Sequence, residues 1–237
     1  MNPTAQKALA AYGGKERWTT AKTITAEVSV HGWAFTLKRR PFFKHARISM
    51  EIARPVSRLT PIGKAPQITG VLNGHDVYLE DPTGKIIAER KNACRYFPGG
   101  RRLFAWDDLD MAYFANYAFW NYFTLPALLL REDIAWKELE PGPREASLEA
   151  TFPDTLPTHN PVQRFRFDPK TGLLIQHDYT AEIISKLATA ANVVLEHKQG
   201  TEILYPSRRL VTPRTPSGKA LPGPTLIAIT VHDFRME

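Results

Sequence analysis

His177 and Tyr179 are the side chains in this sequence best placed to move a proton. They sit in Gln176-His177-Asp178-Tyr179. On a strand, alternate residues share a face, so His177 and Tyr179 point one way and Gln176 and Asp178 the other. An imidazole that titrates near neutral pH beside a phenol can serve as acid and base in a pocket. Asp108 is a third candidate, although Asp107, Asp108 and Asp110 also read as cap and first-turn charges of a helix. The same His–Tyr pair equally suits a structural role between neighbouring strands.

Other chemistries lack their signatures. His159, His177 and His197 have no HxH or HExxH spacing, so no metal site is expected. The single cysteine, Cys94, rules out a disulfide framework within the chain. No Gly-x-Ser-x-Gly elbow, phosphate-binding Gly-x-x-x-x-Gly-Lys loop or Gly-x-Gly-x-x-Gly turn occurs, and no cofactor is expected. The net charge of +7 comes with scattered small clusters, Lys38-Arg39-Arg40, Arg101-Arg102 and Arg208-Arg209. No zinc-finger spacing, helix-turn-helix or RNA-recognition signature accompanies them, which argues against nucleic acid as a partner.

Any pocket for such chemistry has to be built around Phe104–Arg131. This stretch holds Phe104, Trp106, Tyr113, Phe114, Tyr117, Phe119, Trp120, Tyr122 and Phe123, nine of the chain's 25 aromatic residues. From Leu109 to Phe123 the large side chains fall on nearly every side at helical spacing. A helix apolar all round is buried, inserted in a membrane or lining a cavity. Asn116, Asn121, Pro126 and three tyrosines make it a poor membrane span. The hydroxyls and amides need partners, which a mostly apolar pocket with a few fixed polar groups supplies.

The flanking sequence is β. Asn2-Pro3 starts a short helix that Gly13-Gly14 ends, and Lys15–Trp18 adds a second turn. Thr23–His31 alternates with Ile24, Ala26, Val28 and Val30 on one face, and Trp33, Phe35 and Leu37 extend the alternation beyond Gly32. Further strands are expected at Ala46–Ala53, Gln67–Leu72, Asp76–Glu80 and Lys85–Arg90, separated by turns such as Asn73-Gly74 and Asp81–Gly84. After the aromatic segment come Ile134–Glu140, a Pro141-Gly142-Pro143 turn, Ala146–Phe152, Val162–Phe167, Leu173–Ile184, Asn192–Lys198, Glu202–Tyr205 and Leu226–Phe234. Eleven or twelve antiparallel strands must curl, or pack on something, to cover their apolar face. The expected fold is mainly β, a curved antiparallel sheet or half-barrel. The N-terminal helix and the aromatic helix cover its concave side, in one domain over 1–237. A β-sandwich without a helical plug is the alternative.

The opening AAYGGKERWTTAKTITAEVSV is similar to the start of bacterial proteins with the lipoprotein-carrier (LolA-like) architecture. The blocks WDDLDMAYFANYAFWNYFTLPALL and THNPVQRFRFDPKTGLLIQHDYTAEI resemble those of an uncharacterised bacterial family associated with it. That resemblance implies an apolar cavity between sheet and helices that holds a lipid-like ligand. Unlike the periplasmic carriers, MNPTAQKALAAYGG carries no basic-then-apolar leader, so a cytoplasmic location is expected. The lipobox cysteine of the lipoprotein members is also missing.

The leading expectation is a protein that buries a hydrophobic or amphipathic small molecule against Trp106, Tyr113, Tyr117, Trp120 and Phe165. One alternative is a cofactor-independent isomerase, cyclase or lyase using His177, with Tyr179 or Asp108 assisting. The other is a peripheral protein making weak contact with a membrane surface. Oligomeric state is left open.

Overall fold

A computed structural model describes residues 1–97, 103–142 and 145–237. Two short helices, α1 (Pro3–Ala11) and α2 (Gly14–Thr20), lead into β1 (Thr23–His31). The Asn2 side chain accepts from Ala5 N at 2.9 Å, and the αL conformation of Gly13 (φ 96°) lets the chain turn from one helix into the next. After α3 (Trp33–Leu37) the chain forms β2 (Phe43–Glu51), β3 (Val56–Thr60), β4 (Thr69–Asn73), β5 (Asp76–Glu80) and β6 (Ile86–Arg90). The aromatic helix α4 (Asp108–Phe123) and the turn-long α5 (Leu125–Leu128) follow. Seven strands complete the chain: β7 (Ala135–Glu138), β8 (Ala146–Thr151), β9 (Val162–Phe167), β10 (Leu174–Thr180), β11 (Thr189–Gln199), β12 (Leu204–Pro213) and β13 (Ile227–Met236).

The thirteen strands of the described residues form one antiparallel sheet, in the order β6-β5-β4-β3-β2-β1-β13-β12-β11-β10-β9-β8-β7. Two meanders run outward from a central pair in which Ala26 opposes Phe234, and Val28 opposes Val231. The edges, β6 and β7, are the two strands that α4 connects. The sheet does not close. Instead α4 lies on the concave side, packed mainly on β3, β4 and β5. All fourteen residues from Asp110 to Phe123 are buried, which is the environment their all-round apolar pattern requires. The fold is therefore the mainly β, curved, unclosed sheet expected from the strand pattern, with helices on the concave side.

Local expectations fared unevenly. Trp33–Leu37 is a helix rather than a continuation of β1. Gly32, at φ 140°, lets the chain leave the strand, and a Cβ there would meet Leu226 O at 2.4 Å. Trp33 N and Ala34 N then bond to Thr225 O and Leu226 O. Five residues reading W-A-F-T-L fit either period, so the alternation there did not discriminate. The sequence pattern also missed β3, a short strand between Pro55 and Pro61, and it stopped β12 at Tyr205, whereas the strand runs on to Pro213. Leu173–Ile184 is shorter than expected, because the strand ends at Thr180. The Arg101-Arg102 cluster and Pro143 of the expected turn lie outside the described residues.

Candidate functional site

The helix α4 is fastened firmly at one flank. Asp107 caps it, accepting from Asp110 N at 2.8 Å, while Asp110 Oδ2 accepts from Asp107 N at 3.1 Å. Arg90, on the edge strand β6, donates to both carboxylates at 2.6 Å. One turn on, Ala112 lies against Gly70, where a Cβ would come within 2.6 Å of the Ala112 methyl. Asn116 then donates to Gly70 O at 3.1 Å and accepts from Ser57 Oγ at 2.8 Å. Trp120 Nε1 donates to Glu51 O at 2.8 Å. These bonds tie the helix to the β2–β6 half of the sheet.

A buried polar cluster ties it to the loop before β9 and to β10. His159 sits between two tyrosines of α4, with Nδ1 3.1 Å from Tyr117 Oη and Nε2 2.9 Å from Tyr122 Oη. A neutral imidazole donates to one of these and accepts from the other. Tyr122 Oη also lies 2.9 Å from Tyr179 Oη, and the Tyr179 ring stacks on His159 at 3.8 Å. His177 Nε2 donates to Gln163 Oε1 at 2.7 Å, and its ring stacks on Phe165 at 4.1 Å. The Gln163 amide donates in turn to Asn160 O at 2.7 Å, which fixes its orientation and hence the His177 tautomer. Burial holds His159 down to about 3 and His177 well below 6.5, the latter aided by His159 and Arg209. Burial likewise holds the Tyr117 and Tyr179 hydroxyls well above 10. Every member of this cluster is neutral at pH 7.

The flank of α4 facing β12, β13 and β1 is different. Three apolar clefts follow one another there. The first, about 20 Å³, is walled by Ala34, Phe35, Lys38, Trp106, Met111, Phe114, Ile184 and Ile227. The second, about 30 Å³, shares Phe35, Met111, Phe114 and Ile227 with it and adds Val30, Phe43, Ala115, Ala118, Phe119 and Ile229. Tyr122 joins the second to a third, of about 20 Å³, between Trp18, Phe123, Leu125, Tyr205, Arg209 and Phe234. Each holds room for about one or two water molecules. Together they make a narrow seam along the helix. A larger hollow of about 490 Å³ lies on the outer face of the sheet, open and lined by Glu27, Arg47, Arg58, Asp233 and Arg235.

Among the five aromatics singled out from sequence, Trp106 lines the seam. Tyr113 turns toward β5, with its hydroxyl 3.1 Å from His75 Nδ1. Tyr117 joins the His159 cluster, Trp120 bonds to Glu51, and Phe165 lies between His177 and Trp136. His177 and Tyr179 do share the inner face, 5.0 Å apart ring to ring, yet neither wall of the three clefts includes them. Asp108 pairs with Arg40 at the start of α4, roughly 14 Å along the axis from Tyr117 at 1.5 Å per residue. It belongs to a different place from the His–Tyr pair. Sequence reasoning overlooked Arg209, which β12 turns inward. The available signal was its position two residues from Tyr205-x-Ser207 and two before Val211, on the buried face of a strand.

The architecture has counterparts among solved structures. A LolA superfamily protein from Nitrosomonas europaea matches at 12% identity and TM-score 0.54, over 99% of this chain and 92% of that one. A domain from Vibrio parahaemolyticus, named for outer-membrane lipoprotein sorting, matches at 14% identity and TM-score 0.53, over 99% and 91%. A DUF1329 family protein from Desulfovibrio piger matches at 11% identity and TM-score 0.51, over 99% and 92%. No family model and no curated protein sequence matches the chain. The fold is a LolA-like half-barrel, as the sequence resemblance implied. Among the described residues, no helix is long and apolar enough to cross a membrane.

Proposed function

We propose that this protein binds a single hydrophobic or amphipathic molecule in the seam between α4 and the β12–β13–β1 wall. The observation that carries this reading is the asymmetry of α4. Hydrogen bonds and a close glycine contact fasten it to the β2–β6 half, whereas the cleft of about 30 Å³ beside Ala115 and Ala118 is walled by apolar and aromatic side chains, and the first cleft, of about 20 Å³, by such side chains and Lys38. Apart from Tyr122, the second cleft is walled by side chains without hydrogen-bonding groups, while the first keeps the bonds of Lys38 to Leu103 O and of Trp106 N to Lys38 O. A dozen buried methylenes contribute about 10 kcal/mol gross, from which the cost of widening the seam is subtracted. A cytoplasmic site of action belongs to the same reading, and cell fractionation tests it.

The test is titration of the purified protein with sixteen-carbon amphiphiles, followed by tryptophan fluorescence, together with extraction and mass spectrometry of lipid that co-purifies. Saturable one-to-one quenching is expected. A protein that purifies empty and responds to no such ligand refutes the reading.

The acid–base alternative has less support. Its imidazole is held as a donor to Gln163, and it lines none of the three clefts along α4. The membrane-surface alternative draws on one observation. Trp33, Leu37, Phe42 and Leu103 are exposed beside Lys38, near the mouth of the first cleft. Flotation with phosphatidylglycerol vesicles, lost when Trp33, Leu37 and Phe42 become serine, is the expected result. No flotation of the parent protein at low salt sinks it.

A further inference from the structure

Among the described residues, buried charges are compensated, with one exception. Glu80 meets Arg58, Asp110 meets Arg90, and Asp178 meets Arg166. Lys38 donates to Leu103 O at 2.5 Å and lies in the field of Asp110. Among the described residues, Arg209 is 2% exposed and pairs with no carboxylate. Its Nε and Nη1 have no hydrogen-bond partner, and Nη2 makes a single long bond of 3.4 Å to Tyr122 O. That carbonyl is in the last turn of α4, where backbone oxygens lack helical partners and the dipole end is negative. Capping it accounts for one guanidinium hydrogen and leaves four others, three of them on Nε and Nη1, unused. An uncompensated buried ion costs several kcal/mol, so a role confined to that long bond is a poor return.

The surroundings fit an anion. The guanidinium carbon lies 5.2 Å from the Tyr122 ring centroid. Its charge is felt at Tyr12, Tyr179, His177 and His197, which are phenols and imidazoles rather than carboxylates. Asn192, wholly buried on the neighbouring strand, makes no hydrogen bond of good geometry, and its amide reaches only toward the Tyr122 hydroxyl. In front of Arg209 runs the third cleft, whose walls Trp18, Phe123, Leu125, Tyr205 and Phe234 are apolar or aromatic. A buried cation with spare donors at one end of an apolar seam is the complement of an amphiphile with a compact negative head.

We propose that Arg209 receives the anionic head group, a carboxylate or a phosphate monoester, of a single-chain amphiphile whose tail lies in the seam. This rests on the amphiphile-binding reading above. The planar guanidinium offers two donor forks, and exchanging the long bond to Tyr122 O frees either of them for two charge-assisted hydrogen bonds.

The experiment is a titration of the full chain, below micellar concentrations, with palmitate, hexadecyl phosphate, hexadecanol and hexadecyltrimethylammonium. At least one anion is expected to bind about tenfold or more tighter than hexadecanol, with the cation weakest. The ratio of the two anions tells carboxylate from phosphate. In Arg209→Met the preference for the anion disappears while hexadecanol still binds, and the melting temperature is unchanged or higher, since replacing an uncompensated buried ion by an apolar side chain is often neutral or stabilising. Arg209→Lys, which keeps the charge and loses the fork, is expected to be intermediate. Should Arg209→Met fail to fold, the ranking of ligands on the parent protein and on Arg209→Lys still decides. Hexadecanol binding as tightly as both anions, or a variant that keeps the anion preference, overturns the proposal and leaves the seam standing. If none of the four ligands binds, the amphiphile reading falls, and this one with it.

Discussion

Ala118→Leu is the most direct probe of the seam. Ala118 is buried and its methyl borders the second cleft, of about 30 Å³, with Ala115, Phe119 and Ile229. At about 24 cal/mol per Å³ of cavity, filling this space stabilises the protein by roughly 0.7 kcal/mol. Leucine is nearly as good a helix former as alanine, so little of that gain is lost to propensity. For a chain of this size the expected rise in melting temperature is about 1–3 °C. Binding should move the other way. The three added carbons occupy the place proposed for the ligand's tail, and affinity for any sixteen-carbon amphiphile is expected to fall about tenfold or more, the equivalent of two displaced methylenes. Differential scanning fluorimetry and tryptophan titration of the same preparation measure both. Destabilisation by more than about 2 kcal/mol would mean that the space is not there. A raised melting temperature with unchanged affinity would refute the reasoning more sharply, because the seam would then be a packing gap and nothing else.

Other expectations follow from the same geometry. Gly70→Val should destabilise by about 1–3 kcal/mol, since a Cβ there meets the Ala112 methyl and Ile62 at 2.6 Å, and chemical denaturation measures it. Asp110→Ala removes a wholly buried partner of Arg90 and one half of the α4 capping box, and is expected to cost about 3 kcal/mol in the same assay. The neutral histidines set a pH dependence. Because burial holds His159 at about 3 and His177 well below 6.5, the unfolded chain binds more protons than the folded one in the interval beneath 6.5. Stability is therefore greatest above about pH 6.5 and falls as pH drops toward 4, by about 1.4 kcal/mol per pH unit for His159, with His177 acting in the same direction. His197, at about 4 and partly exposed, adds a smaller share in the same direction. A melting temperature that stays level from pH 7 to pH 4.5 contradicts the assignment of these histidines as buried and neutral.

Much of the architecture was legible without coordinates because it depends on local periodicity. The alternation in Thr23–His31 specifies a strand with one dry face, and β1 has that burial pattern throughout. The run from Leu109 to Phe123 is apolar on nearly every side, which calls for enclosure in a core, a cavity wall or a membrane, and of the two cap candidates Asp107 and Asp108 it is Asp107 that caps the helix. Strand parity alone placed His177 and Tyr179 on one face of a strand, and the fold makes that face the inner one. The likeness to LolA-like proteins rested on turns and spacing, which are features of fold, and the solved counterparts at 11–14% identity share that fold.

Long-range placement was another matter. Asn116 marks the flank of α4 that meets Gly70 and Ser57, but nothing within Phe104–Arg131 says which strands each flank faces, because the rest of both flanks is apolar or aromatic. Which tyrosines meet His159 depends on a loop some forty residues away in sequence. Arg209 shows the limit best. The expected strand stops at Tyr205, before Pro206, yet β12 runs on through Arg209, whose guanidinium is buried against Tyr122. Periodicity reports which face of an element is dry. Whether a charged group on that face finds a counter-ion is settled by the strands and helices brought opposite it, and here they bring aromatic rings and an open cleft.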